Sequence, residues 1–253
     1  MRIVIRIKKE LLVGILLLII PFTVSFIFVL PSYNYFVTAG DVVPVSQLGI
    51  KGHVYFAFVK SGYTKNLYEK YALMIFQKNS VTFETVDQEE VDLQKEELEY
   101  EAGLRKETIQ SAVTAVSTNL LHQDLPTSGK MNEIIKNSER YYGDSFGLMV
   151  AIGLTEEWGN EDFSKNGRLK IAGTGTINDT MKVGPVGGIR YKLISAERKG
   201  MQYFFVPQSI VKAETGLSNK EEAFQVKKEK NMKIQIVPVD SLEEAVAYLR
   251  KLP

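Results

Sequence analysis

From Leu11 to Leu30 the chain carries no charged side chain, and only Thr23 and Ser25 are polar. About 20 such residues are what a helix needs to cross ~30 Å of hydrocarbon, so this run predicts a transmembrane helix. Pro21 falls inside it, where a membrane helix tolerates a kink better than a soluble one does. A Pro-containing, turn-rich stretch from Pro31 to Gly49 follows and reads as a linker. Alternating apolar residues at Val54, Phe56 and Phe58 then predict a strand, and Tyr71 to Phe76 and Val81 to Val86 predict two more, the start of an antiparallel sheet. An acidic run from Asp87 to Glu101 reads as a solvated helix start. It leads into Leu104 to Leu121, where Ile109, Ala112, Val113, Val116 and Leu120 make one helical stripe. The polar segment His122 to Arg140, with Pro126, Ser128 and Gly129, predicts a loop with at most one short element.

Beyond Gly143 the pattern alternates between the two periods. A helix is expected from about Phe146 to Trp158, a strand around Leu169 to Ala172, a helix from Gly188 to Lys199, strands at Tyr203 to Val206 and Met232 to Val239, and a last helix from Ser241 to Lys251. Ser241 and Glu244 are spaced as a capping box for that helix. This is an α/β arrangement with no internal repeat.

The flanking charge gives the apolar helix a direction. Arg2, Arg6, Lys8 and Lys9 precede it, and the next cation is Lys51, so the positive-inside bias places the N-terminus in the cytoplasm and the rest outside, as a single-pass protein of the cell membrane. The competing reading is a cleaved signal peptide with Val37-Thr38-Ala39 at the cut. An apolar run longer than such peptides use, ending well before that site, favours an uncleaved anchor. With 253 residues, 45% of them hydrophobic, and a net charge of +1, the chain has enough apolar material for a folded core and no cationic excess for nucleic acid. There is no cysteine, and histidine occurs only at His53 and His122, which argues against disulfide frameworks, thiol catalysis and zinc clusters, and no metal is expected. No cofactor is expected.

Chemistry must then come from Ser, Thr, Lys, Asp, Glu or Tyr. Gly143-Asp144-Ser145-Phe146-Gly147 matches Gly-x-Ser-x-Gly, a pattern that exposes a nucleophilic serine at a turn into a helix; Ser145 reads equally as a cap or first-turn residue. Both histidines precede Ser145, the wrong chain order for an α/β-hydrolase. A lysine made neutral by burial can activate a serine instead. Lys192 is the candidate, on a helix where it shares one side with Ile189, Leu193 and Ala196, although most lysines on such helices are solvated. The Gly-rich entry to that helix is not a phosphate loop, because Ile189 stands where Walker A needs its second Gly. Gly173-Thr174-Gly175 likewise lacks the third Gly of a dinucleotide fingerprint.

Taken together, these segments resemble a known family. Gly143-Asp144-Ser145-Phe146-Gly147-Leu148-Met149 is similar to the nucleophile motif of Lon-type serine proteases. Ala172-Gly173-Thr174-Gly175-Thr176-Ile177-Asn178, then Val183 to Ile189 and Lys192, are similar in order and spacing to the strand and lysine motifs that follow it. Glu107 to Val113 resembles the family's long helix, and Gly200 to Pro207 and Ile236 to Val239 its later strands. The nearest likeness is to the membrane-anchored Lon-like proteases of Gram-positive bacteria that lack an ATPase module.

The resemblance implies a Lon proteolytic-domain-like α/β fold on an N-terminal transmembrane helix: a tail at 1–9, an anchor at 10–31, a linker at 32–48 and the proteolytic domain at 49–253. It implies Ser145 as nucleophile, Lys192 as general base, Thr174 as a hydroxyl orienting Lys192, and the backbone amides of Ser145 and Phe146 as oxyanion hole. The substrate would be an extracytoplasmic peptide or unfolded protein segment, cut without ATP. The membrane would be met through residues 11–30, no nucleic acid is involved, and homo-oligomerisation is left open. Two departures stand out. The stretch around 122–142 is too short for the PDZ domain such relatives insert there, and Asp144 and Phe146 replace the usual Pro and Ala around the serine. Those departures motivate an alternative, a catalytically silent Lon-like ectodomain that binds a partner at the membrane surface.

Overall fold

The computed structural model describes residues 8–77, 80–120, 127–208 and 216–253. Arg2, Arg6, His122 and Pro126, which carried part of the sequence reading, lie outside them. The chain divides into two compact units, Met1–Val37 with Ser61–Asp92, and Thr38–Lys60 with Leu93–Pro253. The mixed α/β class is as expected.

In the first unit, α1 (Lys9–Val29) is one continuous helix through Pro21, long and apolar enough to cross a membrane, and none of its residues is buried. The expected linker is instead the strand β1 (Pro31–Pro44), bounded by a proline at each end, where a missing N–H does least harm. Tyr71 to Phe76 is not a strand either, because it belongs to α2 (Leu67–Phe76). A local cap decides this: Asn66 Oδ1 accepts from the Glu69 amide at 2.9 Å, while Glu69 Oε2 accepts from the Lys65 amide at 2.7 Å. That satisfies two donors at the helix start and nucleates a helix from a run whose apolar pattern fits either state. The predicted third strand forms as β3 (Val81–Thr85), beside β1.

The second unit takes the part of β1 from Thr38 and the part of β2 (Tyr55–Asn66) up to Lys60, followed in the sheet by β4 (Ile171–Gly173), β7 (Tyr203–Pro207) and β8 (Gln235–Val239), parallel from β2 to β8. A separate antiparallel pair is made by β5 (Thr176–Ile177) and β6 (Val183–Gly184). Alternation along the strands loads both faces of the sheet. Ile171, Phe205 and Val237 point into one core, and Ala172, Phe204 and Ile236 into the other.

The first core is closed by α4 (Gln94–Thr114), α6 (Gly147–Gly159) and α9 (Leu242–Arg250) through residues such as Ile109, Leu148 and Leu249. The second is closed by α7 (Ile189–Arg198) and α8 (Asn219–Glu229) through Ile189, Leu193 and Val226. Each fully buried side chain of this size contributes roughly 1.5–3 kcal/mol, so the layering is set by these positions.

The acidic run splits into α3 (Gln88–Asp92) and the start of α4, and α4 continues as a π-helical turn over Ala115–Leu120. The segment expected to be mostly loop contains α5 (Thr127–Asn137), eleven residues held to the core by the fully buried Ile134. α8 was not foreseen; its Ser218–Glu221 capping box is complete. At α9, Ser241 caps the Glu244 amide as expected, but the Glu244 carboxylate takes the Asp240 amide instead of closing the box.

Candidate active site

Ser145 sits in the turn that feeds α6. Gly143 has φ +75°, a left-handed conformation that glycine adopts without strain, and Phe146 occupies the N-cap position. The serine is partly exposed, while every residue from Gly147 to Glu156 behind it is buried. Gly147 leaves no room for a side chain, because a Cβ there would collide with Thr108 Oγ1.

Two donors fix the backbone of the serine from the end of β4. The Ser145 carbonyl accepts from the Gly175 amide at 2.7 Å and from Thr174 Oγ1 at 2.8 Å. The Leu148 amide returns a bond to the Gly175 carbonyl at 3.0 Å, and the Thr174 amide is tied to the Phe205 carbonyl of β7. Thr174 is fully buried, so its hydroxyl has one fixed set of neighbours. The second of these is Lys192, whose Nζ donates to Thr174 Oγ1 at 3.0 Å. One hydroxyl therefore links the lysine head to the main chain of the serine.

Lys192 reaches this point from the first turn of α7. The helix begins after Gly188, which has φ +69° and lies so close to β2 that a Cβ would meet Val59 Cγ1 at 2.7 Å. That pairing of positive φ with close approach is what the Gly187-Gly188 dipeptide supplies. Lys192 is 2% exposed, and burial pulls its pKa from 10.5 down to about 7; the carboxylates of Asp144 and Glu222 act in the opposite sense. The solvated-lysine reading therefore fails.

Phe146 and Asp144 part company. Phe146 is 2% exposed and its ring packs against Phe56, with centroids 5.5 Å apart, so its bulk goes into the core and not beside the Ser145 side chain. Asp144 lines a cleft of about 270 Å³ together with Glu107, Thr108, Ile177 and Lys182. Burial raises its carboxyl pKa, an effect opposed by its own backbone amide and by Lys192 and reinforced by Glu107.

Sequence reasoning missed Glu107 and Thr108 as cleft residues. Thr108 Oγ1 is buried and finds no hydrogen-bond partner among the described residues. It stands on the same helix as the apolar stripe, and only the tertiary placement of α6 shows what it faces.

His53, Glu156 and Asp162 bring possible ligand atoms within 4.8 Å of one another. Their carboxylates are already used by the main chain. Glu156 accepts from the His53 and Phe163 amides, and Asp162 from the Ser164 and Asn166 amides. This cluster pins the loop after α6.

The profile of the Lon protease (S16) C-terminal proteolytic domain matches residues 106–249, from the middle of α4 to the end of α9. Among characterised proteins, the Lon protease of Endomicrobium trichonymphae is 27% identical over 112 residues, which is 44% of this chain. The aligned part is 12% of that protein, so the chain spans only a small fraction of its relative's length. Because the profile covers more than half of the 253 residues and runs through the serine turn, β4 and α7, the chain belongs to the Lon (S16) family of serine protease domains.

Proposed function

We propose that this chain is a membrane-anchored endopeptidase of the Lon-like kind known from Gram-positive bacteria, with Ser145 as nucleophile and Lys192 as general base. The observation that carries the reading is the buried Lys192 amine with its pKa near 7, tied through the Thr174 hydroxyl to the backbone of Ser145. Half-neutral near physiological pH, the amine takes the proton of Ser145 Oγ as the oxygen attacks the scissile carbonyl carbon. The amides of Gly147 and Leu148 are used by the Asp144 and Gly175 carbonyls, which leaves the amides of Ser145 and Phe146 to hold the oxyanion at the start of α6. The lysine then gives its proton to the leaving amine as the C–N bond breaks. Water, deprotonated by the same lysine, releases the acyl group and restores Ser145.

α1 supplies the anchor in this reading. Its 21 residues, apolar from Leu11 onward except for Thr23 and Ser25, add nothing to the core, and Lys8 and Lys9 mark the cytoplasmic end. Phe146 gave the silent-ectodomain alternative part of its motive, and its burial in the core removes that part.

The full chain in detergent, incubated with an unfolded protein such as casein in buffer without ATP or magnesium, is expected to release peptides, while a tightly folded domain survives. Intact casein after prolonged incubation across pH 6 to 9 would overturn the assignment and favour a binding module. Thr174→Val keeps the shape of the site but removes the link between lysine and serine. A ten- to hundredfold loss in kcat with little change in KM is expected, as for groups that orient a catalytic residue. Unchanged kcat in a variant that melts like the parent would show the hydroxyl to be structural only.

A further inference from the structure

We infer that α2 lies in the headgroup region of the bilayer beside the anchor α1, with its apolar side turned to lipid. The inference rests on the anchor reading of α1 and adds a second lipid-contacting element to it.

α2 is amphipathic in the inverse sense from a soluble helix. None of its residues is buried, and Tyr68, Tyr71 and Ile75, at helical spacings of three and four, are 65%, 46% and 74% exposed; Phe76 is 80% exposed. The side that meets the first unit is held by polar contacts instead. Lys70 Nζ donates to Asn34 Oδ1 of β1 at 2.8 Å and lies over the ring of Phe83 of β3, 5.3 Å from its centre. A helix whose charged side faces its own protein and whose aromatic side faces outward is stable where the outside is not water.

Position identifies what that outside is. Tyr71 packs on Phe28, with ring centroids 5.5 Å apart, and Phe28 is the last residue but one of α1. A span of about 20 residues reaches the edge of the hydrocarbon there, so Tyr68 and Tyr71 come at the level where aromatic side chains favour the membrane interface. Ile75 and Phe76 extend the same surface. The occupant is a phospholipid bilayer, continuous with the lipid that surrounds α1.

The absence of cysteine makes the test clean, because one introduced cysteine carries a single reporter. Full-length Ile75→Cys, Phe76→Cys, Leu17→Cys and Lys95→Cys are each labelled with an environment-sensitive fluorophore and reconstituted into phosphatidylcholine–phosphatidylglycerol vesicles. Reporters at 75 and 76 are expected to emit at shorter wavelength than the one at 95, to be several-fold less quenched by aqueous iodide, and to be quenched most by lipids spin-labelled near the headgroup. The reporter at 17 responds most to a label near the chain end. Iodide access at 75 and 76 equal to that at 95, with 17 still protected, overturns the inference and leaves the anchor intact. Access at 17 as well overturns both. Protection at 75 and 76 without lipid quenching assigns the surface to a second copy of the chain and overturns a lipid contact.

Discussion

Cleavage is expected to fall to background when Ser145 is replaced by alanine, and to fall as far when Lys192 is replaced by methionine. The reason is chemical interdependence: without the amine the hydroxyl is a weak nucleophile, and without the hydroxyl the amine has no proton to take. The double variant is expected to be hardly slower than either single one, since groups that act as a unit are grossly non-additive, whereas independent contributors would multiply their losses. Initial rates of peptide release for the four proteins decide this. Measurable turnover in a well-folded Ser145→Ala protein would remove the serine from the mechanism, and multiplied losses would mean that the lysine helps without serving as base.

The second large effect has opposite signs for activity and stability. Because Lys192 is held near pKa 7 in the folded protein, the rate is expected to rise with pH to a plateau, half-maximal near pH 7. Asp144→Asn should move that midpoint lower, because the Asp144 charge favours the ammonium form. The same burial weakens the fold. Unfolded, the amine returns to about 10.5, so between 7 and 10.5 the unfolded chain binds the extra proton and stability rises with pH; below 7 the penalty is complete.

Lys192→Met fills the same space without the charge. It is therefore expected to be more stable than the parent by a few kcal/mol at pH 6.5, a gain in Tm of roughly 5–10 °C, with the difference shrinking toward pH 10. Thermal melts followed through Trp158, the single tryptophan, check the sign. A variant no more stable than the parent at pH 6.5 would mean that burial does not depress the lysine pKa.

Much of the second unit was legible because its signals are local and redundant. The stripe from Ile109 to Val116, the turn into α6 and the strand at Tyr203 to Val206 each state a period that one face of a core requires. Ser145, Thr174 and Lys192 were legible as a set through motif order and spacing, and the Thr174 hydroxyl joins the other two in the fold.

The errors fell where periodicity says little. Tyr71 to Phe76 is apolar throughout, which fits strand and helix alike, and the Asn66 and Glu69 cap that settles it lies upstream of the run. The Pro-containing stretch from Pro31 to Gly49 reads as a linker, yet Pro31 and Pro44 are the two ends of a strand. α5 is anchored at the core by Ile134 and α8 by Ala223 and Val226, too few positions to show a stripe. The cleft side of α4, with Glu107 and Thr108, is defined by what packs across from it.

The helix behind Ser145 is enclosed on all sides for ten residues, from Gly147 to Glu156. Segments that switch between ordered and disordered states come from the weakly held periphery of a protein, and this one belongs to the part that opens last. The turn that carries Ser145 is tied to this late-opening part of the fold through the Gly175 amide and the Thr174 hydroxyl on its carbonyl. For the hydrolase proposed above, control is then expected on arrival, through which chains reach the cleft beside Asp144.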